Sequence, residues 1–323
     1  MQRLTSVDVC AGAGGLALGL ERAGFDPVLL LDSRPIACET LRLNRPTWNV
    51  LEMDLLDFDP AEHQEAYDVD LLSAGLPRVT SAATAQRRET GQERELLKAT
   101  ALLAHAVQPR ALLIENVTKM VSAPELADVR DFIEKELEHL GYGFHWFAVN
   151  AADFGVPQNR DQGVLVALKE RWFEAFRPPE RTVEHHVSAG EALRESMAER
   201  GWRDADIWAA QAISTAPALV GGSYDRGGPD LGPTGTKKKW AGMGINGAAL
   251  ANEVPGPDGL QESDTSGSPH KKITVSQAAI LQSFPKDWHF AGGKTLRYRQ
   301  IGHASPPPVG EALGRSIARA LRA

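Results

Sequence analysis

The sequence predicts an α/β protein with a Rossmann-like parallel sheet and a second, smaller domain. Over the first 170 residues, short apolar segments of β type alternate with segments of helical periodicity, which is typical of a parallel sheet covered by helices. A glycine turn, Ala11 to Gly15, joins the first strand directly to the first helix. From about residue 171 to residue 272 the periodicity is weak and Gly, Pro, Asp and Thr are frequent, so this stretch is expected to fold separately.

Strands and helices follow one another regularly in the predicted large domain. The β-type segments are 6–10, 28–32, 48–51, 69–74, 111–116, 144–150 and 163–169. The helical segments are 16–25, 35–44, 93–107 and 125–141, and helical periodicity returns at 276–285 and 308–323. Ser33 is expected to cap the second helix, because Pro35 stands in its first turn. The expected domains are 1–170, 171–272 and a return to the large domain over 273–323.

The composition of the 323 residues excludes several classes of protein. No apolar run approaches the ~18 residues needed to span a bilayer, so a soluble, cytoplasmic protein without a membrane partner is expected. The two cysteines, Cys10 and Cys38, are too few for a disulfide framework and are expected to be reduced and buried. His185 and His186 lack a third ligand at a suitable spacing, so no metal is expected. A net charge of -7 argues against a uniformly basic nucleic-acid coat but leaves room for a local basic face.

Candidate ligand-binding residues follow the first three strands. Gly12, Gly14 and Gly15 allow a ligand to approach the backbone, and the helix after them offers free N–H groups. Asp32 ends the second strand, where it could hold a ribose diol, and Asp54 follows the third, where it could accept a hydrogen bond from an adenine amino group. This set suits an adenosine-containing ligand. A tight turn with a solvated Asp32, and a cap or loop carboxylate at Asp54, are the alternatives.

Six segments form an ordered series along the chain. They are 8-DVCAGAGGLALGLERAGF-25, 70-DLLSAGLP-77, 115-ENV-117, 155-GVPQNR-160, 273-ITVSQAAILQSFPKDW-288 and 301-IGHASPPPVGEALG-314. In this order they resemble the motifs of the cytosine-C5 DNA methyltransferase family, and the resemblance covers almost the whole chain.

The resemblance implies a fold, a cofactor and a reaction. The fold is a large S-adenosylmethionine-binding domain, completed by the C-terminal helix, and a smaller, mainly irregular and β target-recognition domain, with DNA in the cleft between them. The target cytosine is flipped out of the duplex, a cysteine thiolate attacks C6, and a glutamic acid interacts with N3, so that C5 accepts the methyl group. Glu115 matches this glutamic acid, and Arg160 matches an arginine of the catalytic site. The residues matched to the cofactor, S-adenosylmethionine or S-adenosylhomocysteine, are Gly12, Gly14, Gly15, Asp32 and Asp54.

The position of the catalytic cysteine departs from the family. Arg78 occupies it, in the segment 76-LPRV-79. An arginine stays protonated and offers only hydrogen-bond donors, so it cannot replace a thiolate as nucleophile. Cys10 and Cys38 belong to the first strand and the second helix, on the cofactor side. The nearby hydroxyls have no histidine in this loop to act as their base; they are Thr80, Ser81 and Thr84.

Further departures cluster on the pyrimidine pocket and on the hinge of the recognition domain. The family has a second arginine two residues after the one matched by Arg160, and Gln162 stands there. The pair Ser276-Gln277 replaces a usual Arg-Glu pair, and His303 replaces a usual asparagine. The cofactor side, in contrast, keeps its residues.

Two classes of function are consistent with this pattern. In the first, the protein is a non-catalytic DNA-binding or regulatory subunit, which pairs with an active methyltransferase or acts in a modification or defence locus. Arg78 and Arg160 would then present positive charge to a phosphate or to a carboxylate of the partner. In the second, the protein transfers a group from S-adenosylmethionine to another acceptor without a covalent adduct, and Glu115 acts as acid or base.

Other basic residues are candidates for contact with DNA. The run 237–239 precedes Trp240, which could stack on a base or simply pack in the domain. Arg87, Arg88 and Arg94 follow the altered loop, and a charged helix start is the alternative interpretation.

Overall fold

The computed structural model describes residues 2–79, 90–221, 229–261 and 269–323. The chain forms two compact units. The large unit contains residues 1–149, 161–180 and 309–323, and the small unit contains residues 150–160 and 181–308.

A seven-stranded sheet with the order β3-β2-β1-β4-β5-β8-β6 forms the centre of the large unit. The pairs among β1 to β5 are parallel, and β8 runs antiparallel to β5. This confirms the predicted Rossmann-like α/β fold. The strands of the described chain are β1 (Leu4–Val9), β2 (Phe25–Asp32), β3 (Val50–Glu52), β4 (Leu71–Gly75), β5 (Ala111–Asn116), β6 (Tyr142–Asn150), β7 (Gln158–Asn159), β8 (Asp161–Lys169) and β9 (Ala216–Pro217).

Helices cover the sheet of the large unit and make up most of the regular structure of the small one. No described helix is long and apolar enough to cross a membrane. The helices are α1 (Gly15–Ala23), α2 (Pro35–Asn44), α3 (Thr90–Val107), α4 (Lys119–Ser122), α5 (Ala127–His139), α6 (Glu170–Phe173), α7 (Ala189–Ala198), α8 (Ala205–Gln211), α9 (Thr234–Ala241), α10 (Val275–Leu281), α11 (Lys294–His303) and α12 (Pro307–Leu321).

The central strands are mainly apolar, with Ser6, Asp8 and Ser73 as buried polar exceptions, because helices cover both faces of the sheet. Alternate residues of β1, such as Val7 and Val9, belong to the same core cluster as the apolar stripe of α5. On α12, Gly310 and Gly314 allow close packing against α1: a Cβ atom on Gly310 would lie 2.9 Å from the carbonyl oxygen of Leu16. The C-terminal helix thus belongs to the large unit.

The small unit has different boundaries from those expected of the recognition domain. Its second segment begins at residue 181 rather than 171, and it also includes residues 150–160 and 273–308, which is most of the stretch 273–323 expected in the large domain. The amide of Gln158 explains part of this difference, because its Nε2 donates to the carbonyl oxygen of Leu281 and to Oε1 of Gln282 at 3.1 and 2.6 Å. In its described part, the regular structure is mainly short helices, with one two-stranded ladder of β7 and β9 and an isolated β-bridge between Ile245 and Lys271.

Candidate active site

Four strand ends bring the predicted residues of the large unit to one edge of the sheet. The carboxyl ends of β2, β1, β4 and β5 lie side by side, because these strands are parallel neighbours. The chain crosses from one side of the sheet to the other between β1 and β4, which is where ligands bind in open α/β sheets. The glycine turn, Asp32, the segment of Arg78 and Glu115 all follow or end these strands.

The glycine turn after β1 has the backbone that a close ligand requires. Gly12 and Gly14 have φ values of 57° and 83°, in the left-handed region that favours glycine. Gly14 is the N-cap of α1 and makes no side-chain capping bond, so the N–H groups of the first turn are left to solvent or to a ligand.

Asp32 closes the turn from the neighbouring strand. Its carboxylate is 3% exposed and accepts hydrogen bonds from the backbone N–H groups of Gly12 and Arg34, at 2.8 and 2.9 Å. The guanidinium of Arg34 donates to both carboxylate oxygens, with Nε to Oδ1 at 3.1 Å and Nη2 to Oδ2 at 3.3 Å. Arg34, and not Ser33, is the N-cap residue of α2, and it makes no side-chain capping bond. The pair of Arg34 with Asp32 is not among the predicted contacts, although a basic residue two positions after the carboxylate of β2 is a local signal for it.

Asp54 follows β3 and caps the short 3₁₀ helix Leu55–Asp57. Its Oδ1 accepts a hydrogen bond from the backbone N–H of Leu56 at 3.0 Å. The cap interpretation is therefore correct for one oxygen, and a role toward adenine remains a prediction for the other.

These residues fit S-adenosylmethionine. The uncapped start of α1, the left-handed glycines and the buried carboxylate of Asp32 provide donors and acceptors for a ligand with both a ribose diol and an amino-acid end. Gly12, Gly14, Gly15, Asp32 and Asp54 would hold this cofactor, which supplies a methyl group when bound.

Asp8 is a buried carboxylic acid in the strand below the turn. Its Oδ1 accepts a hydrogen bond from the hydroxyl of Ser73 at 3.0 Å, and its Oδ2 has no hydrogen-bond partner in the described chain. Burial raises the pKa of Asp8 to about 7; the Ser73 bond opposes this shift and the charge of Asp32 adds to it.

Asn116 fixes the backbone on both sides of Arg78. Its Oδ1 accepts a hydrogen bond from the N–H of Val79 at 3.1 Å, and its Nδ2 donates to the carbonyl oxygen of Pro77 at 3.1 Å. Oδ1 also accepts from the N–H of Val117 at 2.9 Å. Asn116 is 3% exposed, so the segment that presents residue 78 is tied to the buried end of β5.

Glu115 lies beside this segment. It is 7% exposed and pairs in register with Gly75, the last residue of β4 before the segment begins. On the other side, Gly163 of β8 packs so closely that a Cβ atom there would lie 2.3 Å from the carbonyl oxygen of Val117. The sheet therefore brings Glu115 and the backbone of Arg78 together, as the order of the motifs predicts.

Neither cysteine has the properties of a nucleophile. Burial, followed by the charges of Asp32 and Asp8, raises the pKa of Cys10 to about 12. Burial and then Asp32 raise the pKa of Cys38 to about 11, and its thiol donates to the carbonyl oxygen of Asp32 at 3.3 Å. Both thiols therefore stay protonated at neutral pH, and the thiol form is not nucleophilic.

Arg160 belongs to the small unit, where it joins two segments. Its Nη1 donates to the carbonyl oxygens of Leu219 and Gly302, at 3.0 and 3.1 Å, and the residue is 1% exposed. These contacts support a structural role, and a role of Arg160 toward a base remains a prediction. Gln162, at the position of the second family arginine, is fully buried in β8 of the large unit.

Gln277 has a structural role at the start of α10. Its backbone N–H donates to Oγ1 of Thr274, and its Oε1 accepts from the N–H of Thr274, at 3.1 and 2.9 Å. This is a capping box, in which Gln and Glu are equivalent.

The other basic and aromatic candidates fall into three groups: some are engaged within the fold, Lys238 and Lys239 are exposed, and some lie outside the described residues. Arg94 pairs with Asp128 at 2.8 Å, which agrees with the charged-helix interpretation. Trp240 is fully buried, so it packs in the small unit and cannot stack on a base in this conformation. The described residues contain no group of three or more potential metal ligands. The candidates outside the described residues are Thr80, Ser81, Thr84, Arg87 and Arg88.

Comparison with known proteins gives relatives along the whole chain. Residues 4–319 match the C-5 cytosine-specific DNA methylase family. The chain is 40% identical to the Type II methyltransferase M.NaeI of Lentzea aerocolonigenes, over 99% of this chain and 76% of that protein. It is 38% identical to the Type II methyltransferase M.NgoMIV of Neisseria gonorrhoeae, over 99% of both chains.

Solved structures share the fold. A candidate DNA modification methyltransferase encoded within an E. coli prophage has a TM-score of 0.67 and 19% identity, over 99% of this chain and 100% of that one. A DNMT2 variant of Spodoptera frugiperda has a TM-score of 0.62 and 14% identity, over 98% and 99%. With the family match and the two relatives, these findings show that the chain belongs to the C-5 cytosine-specific DNA methylase family, whose methyl donor is S-adenosylmethionine.

Proposed function

We propose that this protein is a DNA-binding homologue of the cytosine-C5 DNA methyltransferases that does not carry out cysteine-dependent methylation. Its role would be that of a non-catalytic or regulatory subunit in a modification or defence system, where it pairs with an active methyltransferase. The observation that carries this proposal is the segment 76-LPRV-79, which Asn116 holds beside Glu115 and in which the motif resemblance assigns Arg78 to the position of the family's nucleophile.

The chemistry of residue 78 supports the loss of the reaction. Methylation at C5 begins with a bond between a thiolate sulfur and C6 of the cytosine ring, which makes C5 electron-rich. The guanidinium of Arg78 offers only hydrogen-bond donors, so it cannot act as this nucleophile. The two thiols of the chain are protonated, with pKa values raised to about 12 and about 11.

DNA is the partner that the family membership supports. Both relatives above are named Type II methyltransferases, and these act in restriction and modification. At residue 78, a guanidinium at the end of a parallel strand can donate hydrogen bonds to a phosphate or to a base edge. The same side chain that removes the nucleophile therefore adds a donor for nucleic acid.

A second function is favoured by the intact cofactor residues. The glycine turn and Asp32 retain the geometry that an adenosine ligand requires, although no conventional C5 reaction would use it. The protein would then transfer the methyl group to another acceptor without a covalent adduct, with Glu115 as acid or base.

The experiment measures the incorporation of methyl label and the retention of DNA as two separate quantities. The purified protein is incubated with tritiated S-adenosylmethionine and a pool of random duplexes, which contains any recognition sequence. We expect the wild type to retain the duplexes on a filter without incorporating label. The Arg78→Cys variant should gain incorporation, whereas Arg78→Ser, which also shortens the side chain, should not. If Gln162 also prevents methyl transfer, the double variant Arg78→Cys/Gln162→Arg should gain incorporation of label.

Two results would contradict the proposal. Label in C5 of cytosine with the wild type would mean that conventional methylation survives. Failure to retain DNA would remove the DNA-binding role. Label on another base or another atom would support the second function instead.

A further inference from the structure

All four acceptor sites of the Asp32 carboxylate are occupied within the protein. A carboxylate offers about four lone pairs on its two oxygens. Oδ2 accepts from the N–H of Gly12 at 2.8 Å and from Nη2 of Arg34 at 3.3 Å. Oδ1 accepts from the N–H and from Nε of Arg34, at 2.9 and 3.1 Å. A ribose diol that binds Asp32 must therefore replace two of these donors.

The four donors differ in how easily they move. The two backbone N–H groups are fixed by the glycine turn and by the start of α2. The other two belong to the Arg34 side chain, which is 39% exposed and can rotate into solvent. The ligand is therefore expected to displace the guanidinium and to keep both backbone bonds.

The same guanidinium also covers the glycine turn. A Cβ atom placed on Gly12 would lie 3.5 Å from Nη2 of Arg34, so the guanidinium lies in van der Waals reach of the side of the turn from which a Gly12 side chain would project. Two separate features of the cofactor site, its carboxylate and its glycine backbone, are thus covered by one side chain.

We propose that Arg34 is a latch on the cofactor site. The Arg34 latch, meaning the bidentate pair of its guanidinium with Asp32, must open before S-adenosylmethionine or its demethylated product binds. A closed latch lowers the observed affinity in proportion to the fraction of molecules in which it is open. It also neutralises a buried carboxylate while no ligand is bound, so the same pair stabilises the ligand-free protein.

The alternative, in which Arg34 contacts the ligand directly, predicts the opposite change on substitution. If Arg34 holds the ligand, its removal weakens binding. If Arg34 competes with the ribose, its removal strengthens binding. The direction of the change therefore decides between them.

The test is a calorimetric titration of the full chain with S-adenosylhomocysteine, combined with thermal melts. Arg34→Met keeps most of the side-chain volume and removes the charge, and Arg34→Lys keeps the charge without the bidentate geometry. Arg42→Met is the matched control: Arg42 lies on the same helix, where it donates to the carbonyl oxygen of Val50 instead of to Asp32. We expect Arg34→Met to bind about two- to fivefold more tightly than wild type, since a partly exposed ion pair contributes at most about fivefold. Arg34→Lys should lie between, and Arg42→Met should match the wild type.

The melts give a second readout that a merely structural role of Arg34 would not produce. Without ligand, Arg34→Met should melt at a lower temperature than wild type, whereas its temperature rise on adding S-adenosylhomocysteine should be larger. Weaker binding by Arg34→Met, or binding equal to that of Arg42→Met, would overturn the latch, as would absence of binding by every variant. None of these readouts involves DNA or methyl transfer, so the latch and the proposed function can fail independently.

Discussion

At residue 78, the backbone contacts explain why the side chain can change without loss of the frame around it. Asn116 bonds the main-chain atoms of Pro77 and Val79, and these atoms are the same for any residue between them. The proposed exchange of a thiol for a guanidinium at residue 78 would therefore remove the reactive atom and leave the loop anchored to β5. Because the backbone contacts do not depend on the side chain at residue 78, a substitution there tests the chemistry of that side chain without disturbing the loop.

The first prediction concerns the side on which Arg78 lies. Arg78→Ala should change the affinity for S-adenosylhomocysteine by less than about twofold and the free energy of unfolding by less than about 0.5 kcal/mol, because Arg78 is outside the cofactor residues. Asp32→Asn is the contrasting variant and should weaken binding by roughly tenfold or more, since hydrogen bonds to a carboxylate are among the stronger ones. Calorimetry and urea unfolding measure both. A large loss of affinity in Arg78→Ala would refute the placement of this residue.

The second prediction concerns the buried acid Asp8. Because its pKa rises from 3.8 to about 7 on folding, the native state holds a proton more tightly than the unfolded state. The stabilisation from this proton is present below pH 4 and is lost as the pH rises through 7. Asp8→Asn does not titrate, so the variant should gain stability relative to wild type between pH 5 and pH 8. Thermal melts of both proteins at pH 5 and at pH 8 measure the stability of Asp8→Asn relative to wild type. If this relative stability is the same at both pH values, Asp8 does not titrate between them.

At the scale of elements, β5 carries the contacts that hold the substrate side together. Its residues 115 and 116 end the strand at the sheet edge, with Gly75 of β4 on one side and Gly163 of β8 on the other. The third prediction is that Asn116→Ala destabilises the protein by about 2 kcal/mol, since buried donors and an acceptor lose their partner. Thr118→Ala is a nearby control, because Thr118 makes no side-chain capping bond at the start of α4. Equal unfolding free energies for the two variants would show that the hydrogen bonds of Asn116 to Pro77, Val79 and Val117 do not stabilise the protein.

The elements also show what the sequence could and could not predict. The limits of β5 and α2 were predicted to the residue, because apolar runs and a proline at the first turn are local signals. The hydrogen bonds of Asn116 to Pro77 and Val79 and the burial of Trp240 depend on which residues meet after folding, and no local pattern records that. The boundary of the small unit was missed for the same reason: Gln158 bonds α10 across 123 positions of sequence. Helical periodicity at 276–285 predicted a helix but not the unit it joins.

At the scale of the whole molecule, the two units contain different sets of the candidate functional residues. The large unit holds the glycine turn, Asp32, the segment of Arg78 and Glu115 along one sheet edge. The small unit holds Arg160 in a network of backbone carbonyl oxygens and the capping box of Gln277. The predicted departures from the family pattern lie in both units, and the predicted cofactor residues all lie in the large unit. This distribution is the one expected if the proposed function is correct.

The most direct test of the lost nucleophile is the trapping of a covalent adduct. Random duplexes with 5-fluorocytosine in place of cytosine are incubated with S-adenosylmethionine and protein, and the products are separated under denaturing conditions. Fluorine at C5 blocks the final proton removal, so an enzyme that attacks C6 stays bound to the DNA. We predict no adduct with the wild type and a denaturant-resistant adduct with Arg78→Cys, alone or combined with Gln162→Arg. An adduct with the wild type would mean that another residue of this chain attacks the base, and it would contradict the account.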